Sequence, residues 1–180
     1  MALIVITGPP CTGKTSLSGM ISGRYSIPAF GKDMIKESLA DVLNNGGDIP
    51  SRRLGIAAEE LLYVVAEELM RLGGSVIIEG TFKDSYARMP ISGLAARHAA
   101  DIIQIQCVAD PEILLRRYRL RHGRHPVHPA PDGTEEFERD MRRGRYDPID
   151  IPGIIITHDT TDVAAIDYSA MYNVIENIIR

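Results

Sequence analysis

Short apolar, β-branched runs alternate along this chain with longer stretches of helical periodicity. The runs predict five strands, at 2–7, 26–30, 75–79, 101–108 and 154–157. The longer stretches predict helices at about 14–24, 33–43, 51–72, 84–99, 110–121 and 162–179. Strand–helix alternation is typical of βαβ units, and continuous apolar strands such as LIVI and IIQI are typical of a sheet covered on both faces. The pattern therefore predicts a parallel sheet between two layers of helices.

The segment 122–152 departs from this alternation, because it is rich in proline and contains no strand-like run. A loop of this length in a small domain is usually functional, so we expect a lid at about 122–145, interrupted by a helix near 134–143. A length of 180 residues suits one domain with a substantial core, and we expect residues 1–180 to form a single domain.

Composition narrows the class of partner. A net charge of −4 argues against a molecule built to coat nucleic acid, although a local basic groove stays possible. Two cysteines form neither a disulfide framework nor a zinc motif, and free thiols fit a reducing, cytoplasmic location. The first apolar run has only five residues, which favours a strand over a signal peptide, and no stretch approaches the roughly 18 apolar residues of a membrane span.

Residues 8–15 read GPPCTGKT, which matches the phosphate-binding pattern GxxxxGK[ST] between a predicted strand and a predicted helix. Glycines at both ends allow the backbone N–H groups to converge on phosphate oxygens at a helix N-terminus. The lysine then reaches the β- and γ-phosphates, and the threonine hydroxyl ligates Mg²⁺, so ATP and Mg²⁺ are the expected ligands. The predicted nucleotide-binding residues are Gly8, Pro9, Pro10, Cys11, Thr12, Gly13, Lys14, Thr15 and Ser16, together with Arg124 of the expected lid.

Asp33 follows the second predicted strand, at the sheet edge where open α/β sheets bind their ligands. A carboxylate there can accept the proton of a substrate hydroxyl as it attacks the γ-phosphate. Lys36 lies one helical turn further on, faces the same side and can hold an anionic group of the substrate. The alternative is that Asp33 only caps its helix, and the two roles are compatible.

Glu79 ends the third predicted strand, at the position where a Walker B carboxylate orients Mg²⁺ or its water. The longer reach of glutamate leaves a water-mediated or substrate-binding role equally open, and an ordinary strand-end acid is a further alternative. Arg88 on the next predicted helix is a candidate substrate contact if it faces the cleft, and a solvated arginine if it does not.

Nine of the sixteen arginines fall between 116 and 145, which concentrates positive charge around the expected lid. Arg117 and Arg121 are four apart on one predicted helix face, and Arg124 follows a glycine, so these three are candidates to stabilise charge on a transferring phosphoryl group. His122, His125 and His128 form an HxxHxxH string, but the prolines between them prevent the regular helix that would align three metal ligands. We expect them to be lid residues.

Five segments carry a family resemblance, namely GPPCTGKT, FGKDMIKESL, VIIEGTF, VADPEILLRRYRLRHGR and IITHDTT. With these segments the chain resembles the small P-loop kinases of the adenylate-kinase-like group, above all those of the AAA_33 type, which include chloramphenicol phosphotransferase and the kinase domain of polynucleotide kinase.

The resemblance implies the α/β fold of a P-loop NTPase, a three-layer αβα sandwich with a five-stranded parallel sheet in the order 2-3-1-4-5. It also implies Asp33 as base, Lys14 and Thr15 at phosphate and magnesium, and Arg117, Arg121 or Arg124 as lid arginines. Two residues depart from it, since Lys36 stands where some relatives have arginine and Glu79 where many have aspartate.

These features favour an ATP-dependent kinase that phosphorylates a hydroxyl of a small molecule such as an antibiotic, sugar or nucleoside. A 5′-hydroxyl polynucleotide kinase is an alternative that needs a basic groove along Lys36, Arg52, Arg53 and Arg88, and an aromatic content of 6% offers few stacking platforms for bases. A nucleotide-binding or ATPase module without transfer is a second alternative. The NKxD motif of a GTPase switch does not occur in the sequence.

Overall fold

Five parallel strands form one sheet, whose carboxyl ends meet at a single edge. The computed structural model describes residues 1–43, 49–121, 125–128, 139 and 141–179. The strands are β1 (Ala2–Thr7), β2 (Ala29–Gly31), β3 (Val76–Glu79), β4 (Asp101–Val108) and β5 (Ile154–Asp159), in the order β2-β3-β1-β4-β5. Every neighbouring pair is parallel. The predicted sheet and its order are therefore confirmed.

Helices cover both faces of the sheet. They are α1 (Lys14–Tyr25), α2 (Lys32–Leu43), α3 (Ser51–Arg71), α4 (Asp84–His98), α5 (Pro111–Leu120) and α6 (Ser169–Ile179), with a 3₁₀ turn at Val163–Ala165. The side chains of β1 alternate between the two layers. Leu3 and Val5 pack with Leu62 of α3 and Ile91 of α4 in one apolar cluster. Ile4 and Ile6 pack with α1 and α6 in the other cluster.

Because β1 is completely buried in the middle of the sheet, the loop that follows it leaves from the centre of the molecule. The loops after β2 and β3 leave from the same edge on one side, and the loop after β4 leaves on the other side. This arrangement brings the phosphate-binding loop, Asp33 and Glu79 to a common edge, as open parallel sheets generally do with their functional residues.

The structure corrects two predicted elements. β2 begins at Ala29 rather than at residue 26, because Ser26 ends α1 in the left-handed conformation with φ 55° and Pro28 has no N–H for a strand ladder. The last predicted helix is divided, because Asp162 caps the 3₁₀ turn through Ala164 N and Asp167 caps α6 through Ser169 N.

Part of the expected lid lies outside the described residues, including Arg124 and His122. Of the helix expected near 134–143, residues 139 and 141–143 are helical, and the rest also lies outside the described part of the chain. Within the residues that the structure describes, no helix is both long enough and apolar enough to cross a membrane.

Candidate nucleotide and phosphoryl-transfer site

The loop after β1 has a backbone that only small residues permit. Gly8 has φ +144°, and a Cβ added there would lie 2.2 Å from the carbonyl oxygen of Cys107 on β4. Gly13 has φ +77°, and Cys11, although not a glycine, has φ 65°. Left-handed conformations at these positions curl the loop around the start of α1. Gly13 occupies the N-cap of α1 without any side-chain cap, so the first N–H groups of α1 face the loop.

Lys14 and Thr12 are both anchored to the Pro9 carbonyl oxygen. The Lys14 Nζ donates to it at 2.9 Å and the Thr12 hydroxyl at 2.8 Å. Both side chains are buried, so the ammonium is held inside the loop instead of being solvated. A buried positive charge together with unpaired helix N–H groups is an arrangement suited to a polyphosphate.

Thr15 and Glu79 lie in contact beneath this loop. The Thr15 hydroxyl donates to Glu79 Oε2 at 3.1 Å, and a Cβ at Gly31 on β2 would lie 2.9 Å from the same oxygen. Gly31 thus leaves room for the carboxylate of Glu79 beside β2. A hydroxyl and a carboxylate oxygen are hard ligands of the kind that Mg²⁺ prefers, and the pair fits the metal of a nucleotide complex.

The electrostatics of Glu79 show which groups converge on it. Burial raises the pKa of Glu79, and the negative charge of Asp33 adds to this effect. Lys14, the Thr15 hydroxyl and Arg121 act in the opposite direction. Lys14 and Thr15 at the start of α1, Asp33 on α2 and Arg121 after α5 therefore share one electrostatic environment around Glu79.

A cavity of about 1310 Å³ extends from the phosphate-binding loop across α2 and α3. Its lining includes Lys14, Thr15 and Ser16 at the start of α1, Asp33 and Lys36 on α2, and Glu79 on β3. Asp33 is exposed in the first turn of α2. Lys36 is buried beside α3, its Cε 3.9 Å from where Gly55 would carry a Cβ. The cavity is large enough for a nucleotide and a second small molecule.

The two described lid arginines have different surroundings. Arg117 donates to the Thr160 carbonyl oxygen at 2.6 Å and to the Thr160 hydroxyl at 3.2 Å, which ties α5 to the loop after β5. Arg121 follows the last residue of α5, is exposed and lines the cavity. Arg117 also lines the cavity, so both side chains border it.

The structure does not bring Arg88 to the cavity, in contrast to the expectation of a substrate contact. Its guanidinium makes two hydrogen bonds to Asp84, at 2.9 and 2.7 Å, and forms an ion pair with Asp150 at 3.1 Å. Asp84 lies one helical turn before Arg88 on α4, so this pairing is the normal one for residues at that spacing. Arg88 joins α4 to the segment that precedes β5.

A polar group on the far wall of the cavity was not predicted from the sequence; it consists of Lys32, Glu59, Tyr63 and Tyr86. A signal was present for one of them. Glu59 falls on the buried side of α3 together with Leu54, Ala58 and Leu62, and glutamate is rarely buried without a partner. Lys32, directly before Asp33, carried no distinguishing pattern.

Residues 125–128 dock against α2 and α3. His128 Nε2 lies 2.7 Å from Glu37 Oε1 and His125 Nε2 lies 2.9 Å from Asp41 Oδ1. The Ser51 hydroxyl donates to the Val127 carbonyl oxygen at 2.7 Å. Across the described ranges, no three His, Cys, Asp or Glu side chains are grouped to hold a metal ion.

A strand-to-helix phosphate loop at the centre of a parallel sheet of order 2-3-1-4-5 defines a small P-loop kinase-like, nucleotide-binding protein. The chain belongs to the AAA_33 family, described as "AAA domain", whose pattern matches residues 3–144. The resemblance drawn from the sequence is thereby confirmed.

Solved structures agree with this assignment. A crystal structure described as a "putative kinase" from Chloroflexus aurantiacus is 32% identical, covers 99% of this chain and 98% of its own, and superposes with a TM-score of 0.89. A gluconokinase from Sinorhizobium meliloti shares the fold at 15% identity, with a TM-score of 0.57 over 98% of this chain and 93% of its own.

Curated relatives are more distant. Uncharacterized proteins from Mycobacterium tuberculosis and Mycobacterium bovis are 27% identical over 130 residues, which is 67% of this chain. The chain spans about a quarter of the length of these relatives, since the match covers 26% of each.

Proposed function

We propose that the chain is an ATP-dependent, Mg²⁺-dependent kinase that transfers the γ-phosphate to a hydroxyl group of a small molecule. The observation that carries the proposal is that the phosphate-binding loop and Asp33 border one cavity, which the hydrogen-bonded Thr15 and Glu79 also line. A nucleotide-binding module that does no transfer would need neither a carboxylate at this position nor the space beyond it.

Each residue of the site has a separate role in the proposed reaction. The N–H groups of the loop and the Lys14 ammonium would hold the polyphosphate, and Thr15 and Glu79 would hold the magnesium ion directly or through its water. A bound Mg²⁺ would supply neutralisation of the phosphate charge. Asp33 accepts the proton of the acceptor hydroxyl, and Arg121 stabilises the charge on the transferred group.

The charges of the far half of the cavity favour a small molecule over a polynucleotide. This acceptor half, lined by α2 and α3, contains four carboxylates against three cations, namely Asp33, Glu37, Glu59 and Glu60 against Lys32, Lys36 and Arg52. Binding to a polynucleotide backbone depends on a surplus of Lys and Arg, which this surface does not offer. The basic groove that a polynucleotide kinase needs would include Arg88, but Arg88 is paired with Asp84 and Asp150.

The test of the proposal is an acceptor screen that measures ADP release over alcohols, sugars, nucleosides, antibiotics and 5′-hydroxyl oligonucleotides. We expect release above the rate without acceptor for at least one small hydroxyl compound, with the phosphorylated product detected by mass spectrometry. Equal release with and without every acceptor would identify a hydrolase or switch instead.

Replacing Arg121 by methionine should lower kcat about 100-fold or more, because preorganised donors to a developing charge contribute about that much in enzyme sites. The matched control is Arg119→Met, an exposed arginine two residues earlier on α5 that does not line the cavity. Steady-state kinetics on the best acceptor measures both variants. If Arg121→Met behaves like Arg119→Met, Arg121 has no part in transfer.

Replacing Glu79 by glutamine should raise the Mg²⁺ concentration needed for half-maximal activity by about 10- to 100-fold, the usual cost of losing an outer-shell partner of a metal site. The same variant should make the nucleotide-free protein more stable at pH 8. The pKa of Glu79 is raised by burial, so the folded state disfavours the ionised form, and the substitution removes that cost.

The stability gain should shrink as the pH falls toward 4.5, the ordinary pKa of the group. At that pH the folded wild-type protein holds Glu79 in its protonated form, so it no longer bears the cost of a buried negative charge. Thermal unfolding from pH 5 to 8, combined with Mg²⁺ titrations of activity, measures both effects. An unchanged Mg²⁺ requirement would contradict the assignment of Glu79 to the metal.

A further inference from the structure

A buried ion pair in the acceptor half has no part in the mechanism given above. Lys32, the first residue of α2, places its Nζ 2.5 Å from Glu59 Oε2 on α3, with side chains 15% and 10% exposed. The other carboxylate oxygen of Glu59 accepts a hydrogen bond from the Tyr63 hydroxyl at 2.9 Å. Removing two charges from water is costly, so a largely buried pair is weak evidence for a role in stability.

The stem of Lys32 is confined on its other side by the connection between β3 and α4. Its Nζ lies 5.7 Å from the centre of the Tyr86 ring, and the Tyr86 hydroxyl is fixed by donating to the Thr81 carbonyl oxygen at 2.7 Å. At Gly80 an added Cβ would lie 3.2 Å from the Lys32 Cβ. Lys32 is therefore packed between α3 and the connection from β3 to α4, and this packing restricts the position of its ammonium.

The residues of this group differ in how many of their donor and acceptor atoms are engaged in hydrogen bonds. Glu59 has both oxygens engaged, by Lys32 and by Tyr63. The Lys32 ammonium has three N–H donors, and within the described residues Glu59 is its hydrogen-bond partner, so two donors remain for a ligand in the cavity. Lys32 directly precedes Asp33, and both residues line that cavity.

Tyr63 keeps Glu59 in place. Its ring stacks on the fully buried Phe82, with centroids 6.4 Å apart and an angle of 28° between the planes. Burial and the neighbouring Glu59 raise the pKa of Tyr63 well above its ordinary value, so the phenol stays a hydrogen-bond donor at physiological pH. A rigid donor thus orients the carboxylate that orients Lys32.

From this geometry we infer that Lys32 determines which acceptor binds. Its ammonium donates a hydrogen bond to an acceptor oxygen next to the hydroxyl that Asp33 deprotonates. Glu59 is the residue that positions Lys32. The inference rests on the proposed kinase function. The substrate class that fits is a neutral polyhydroxylated compound, such as a diol or a sugar. Because Glu59 balances the charge of Lys32, an anionic acceptor finds hydrogen-bond donors on this wall but no surplus positive charge.

Calorimetry with the protein saturated with MgADP tests the substrate class without requiring turnover. The probes are matched pairs of a neutral polyol and its carboxylate or phosphate counterpart, beginning with D-glucose and D-glucuronate, and with D-ribose and ribose 5-phosphate. We expect at least one neutral polyol to bind, and its anionic counterpart to bind at least tenfold more weakly. The absence of any neutral binder, or preference for the anion, overturns the inference.

Three variants test the residues, namely Lys32→Met, Glu59→Gln and the two together. Lys32→Met and the double variant should bind the polyol at least tenfold more weakly, and MgADP within twofold of the wild type. With a deoxy analogue that lacks the neighbouring hydroxyl, the variants and the wild type should bind alike. Glu59→Gln should shift binding toward the anionic counterpart, because it leaves the charge of Lys32 unbalanced, and a purely structural role would not produce that reversal.

The double variant leaves no unpaired buried charge, so it keeps the test valid if Lys32→Met alone is unstable. The matched control is Arg71→Met combined with Glu68→Gln. It removes an exposed ion pair of 2.7 Å at the carboxyl end of α3, the helix that also carries Glu59. Equal losses for the polyol and its deoxy analogue, or no shift in Glu59→Gln, would refute the role of Lys32. A polyol that binds through Lys32 without any ADP release would instead refute the kinase proposal and leave the binding inference intact.

Discussion

Asp33→Asn is expected to lower kcat by about 10²- to 10⁴-fold, the usual contribution of a positioned general base. Asparagine has the same shape but cannot accept the proton of the acceptor hydroxyl at neutral pH. The Kd for ATP should change less than about threefold, because Asp33 lies in the first turn of α2 and is not part of the phosphate-binding loop. Single-turnover transfer and calorimetric ATP titration measure the two quantities separately.

The assay needs saturating Mg²⁺. Asp33 contributes negative charge to the environment of Glu79, so its loss can also raise the Mg²⁺ requirement and imitate a chemical defect. The matched control is Asp101→Asn, the same change at an exposed position on the amino-terminal end of β4, at the opposite edge of the sheet. If Asp33→Asn transfers phosphate as fast as Asp101→Asn at saturating Mg²⁺, Asp33 is only the first-turn acid of its helix, and the mechanism proposed above is wrong.

The central part of the site could be predicted from local sequence because local sequence builds it. The loop of residues 8–15 is contiguous, and its glycines, lysine and threonine are required by the backbone path and by the phosphate. Asp33 and Glu79 could be placed because each directly follows or ends a strand, and parallel strands bring such positions to one edge. The resemblance supplied the strand order, which alternation alone does not determine.

The parts that escaped prediction depend on partners that are distant in sequence. Arg88 was a candidate substrate contact, but its guanidinium pairs both with Asp84, which helical spacing does offer, and with Asp150, 62 residues further along the chain. Lys32 and Glu59 are 27 residues apart and lie on two different helices, and no sequence pattern around either residue indicates the other as its partner. The Lys32–Glu59 pair follows from how α2 and α3 pack, and the Arg88–Asp150 pair from how α4 meets the segment before β5; such packing is not encoded in the periodicity of any single helix.

Gly8→Ala should distort the nucleotide site through the backbone, without changing a polar side chain. The new Cβ would lie 2.2 Å from the Cys107 carbonyl oxygen, and the φ of +144° is strained for alanine. Main-chain atoms cannot rotate away, so β1 and β4 must separate or the loop must change its path. We expect a loss of about 3 kcal/mol in the free energy of unfolding and ATP binding weakened by about 100-fold.

The control for this change is Gly23→Ala on α1, where an added Cβ meets nothing within 4 Å and the glycine is exposed. Alanine in the interior of a helix is about 0.5–1 kcal/mol more stable than glycine, so this variant should gain stability and bind ATP as before. Chemical denaturation and calorimetry on both variants separate the effect of the site from the effect of glycine replacement in general. Normal ATP binding by Gly8→Ala would show that the close approach of the loop to β4 does not shape the phosphate cradle.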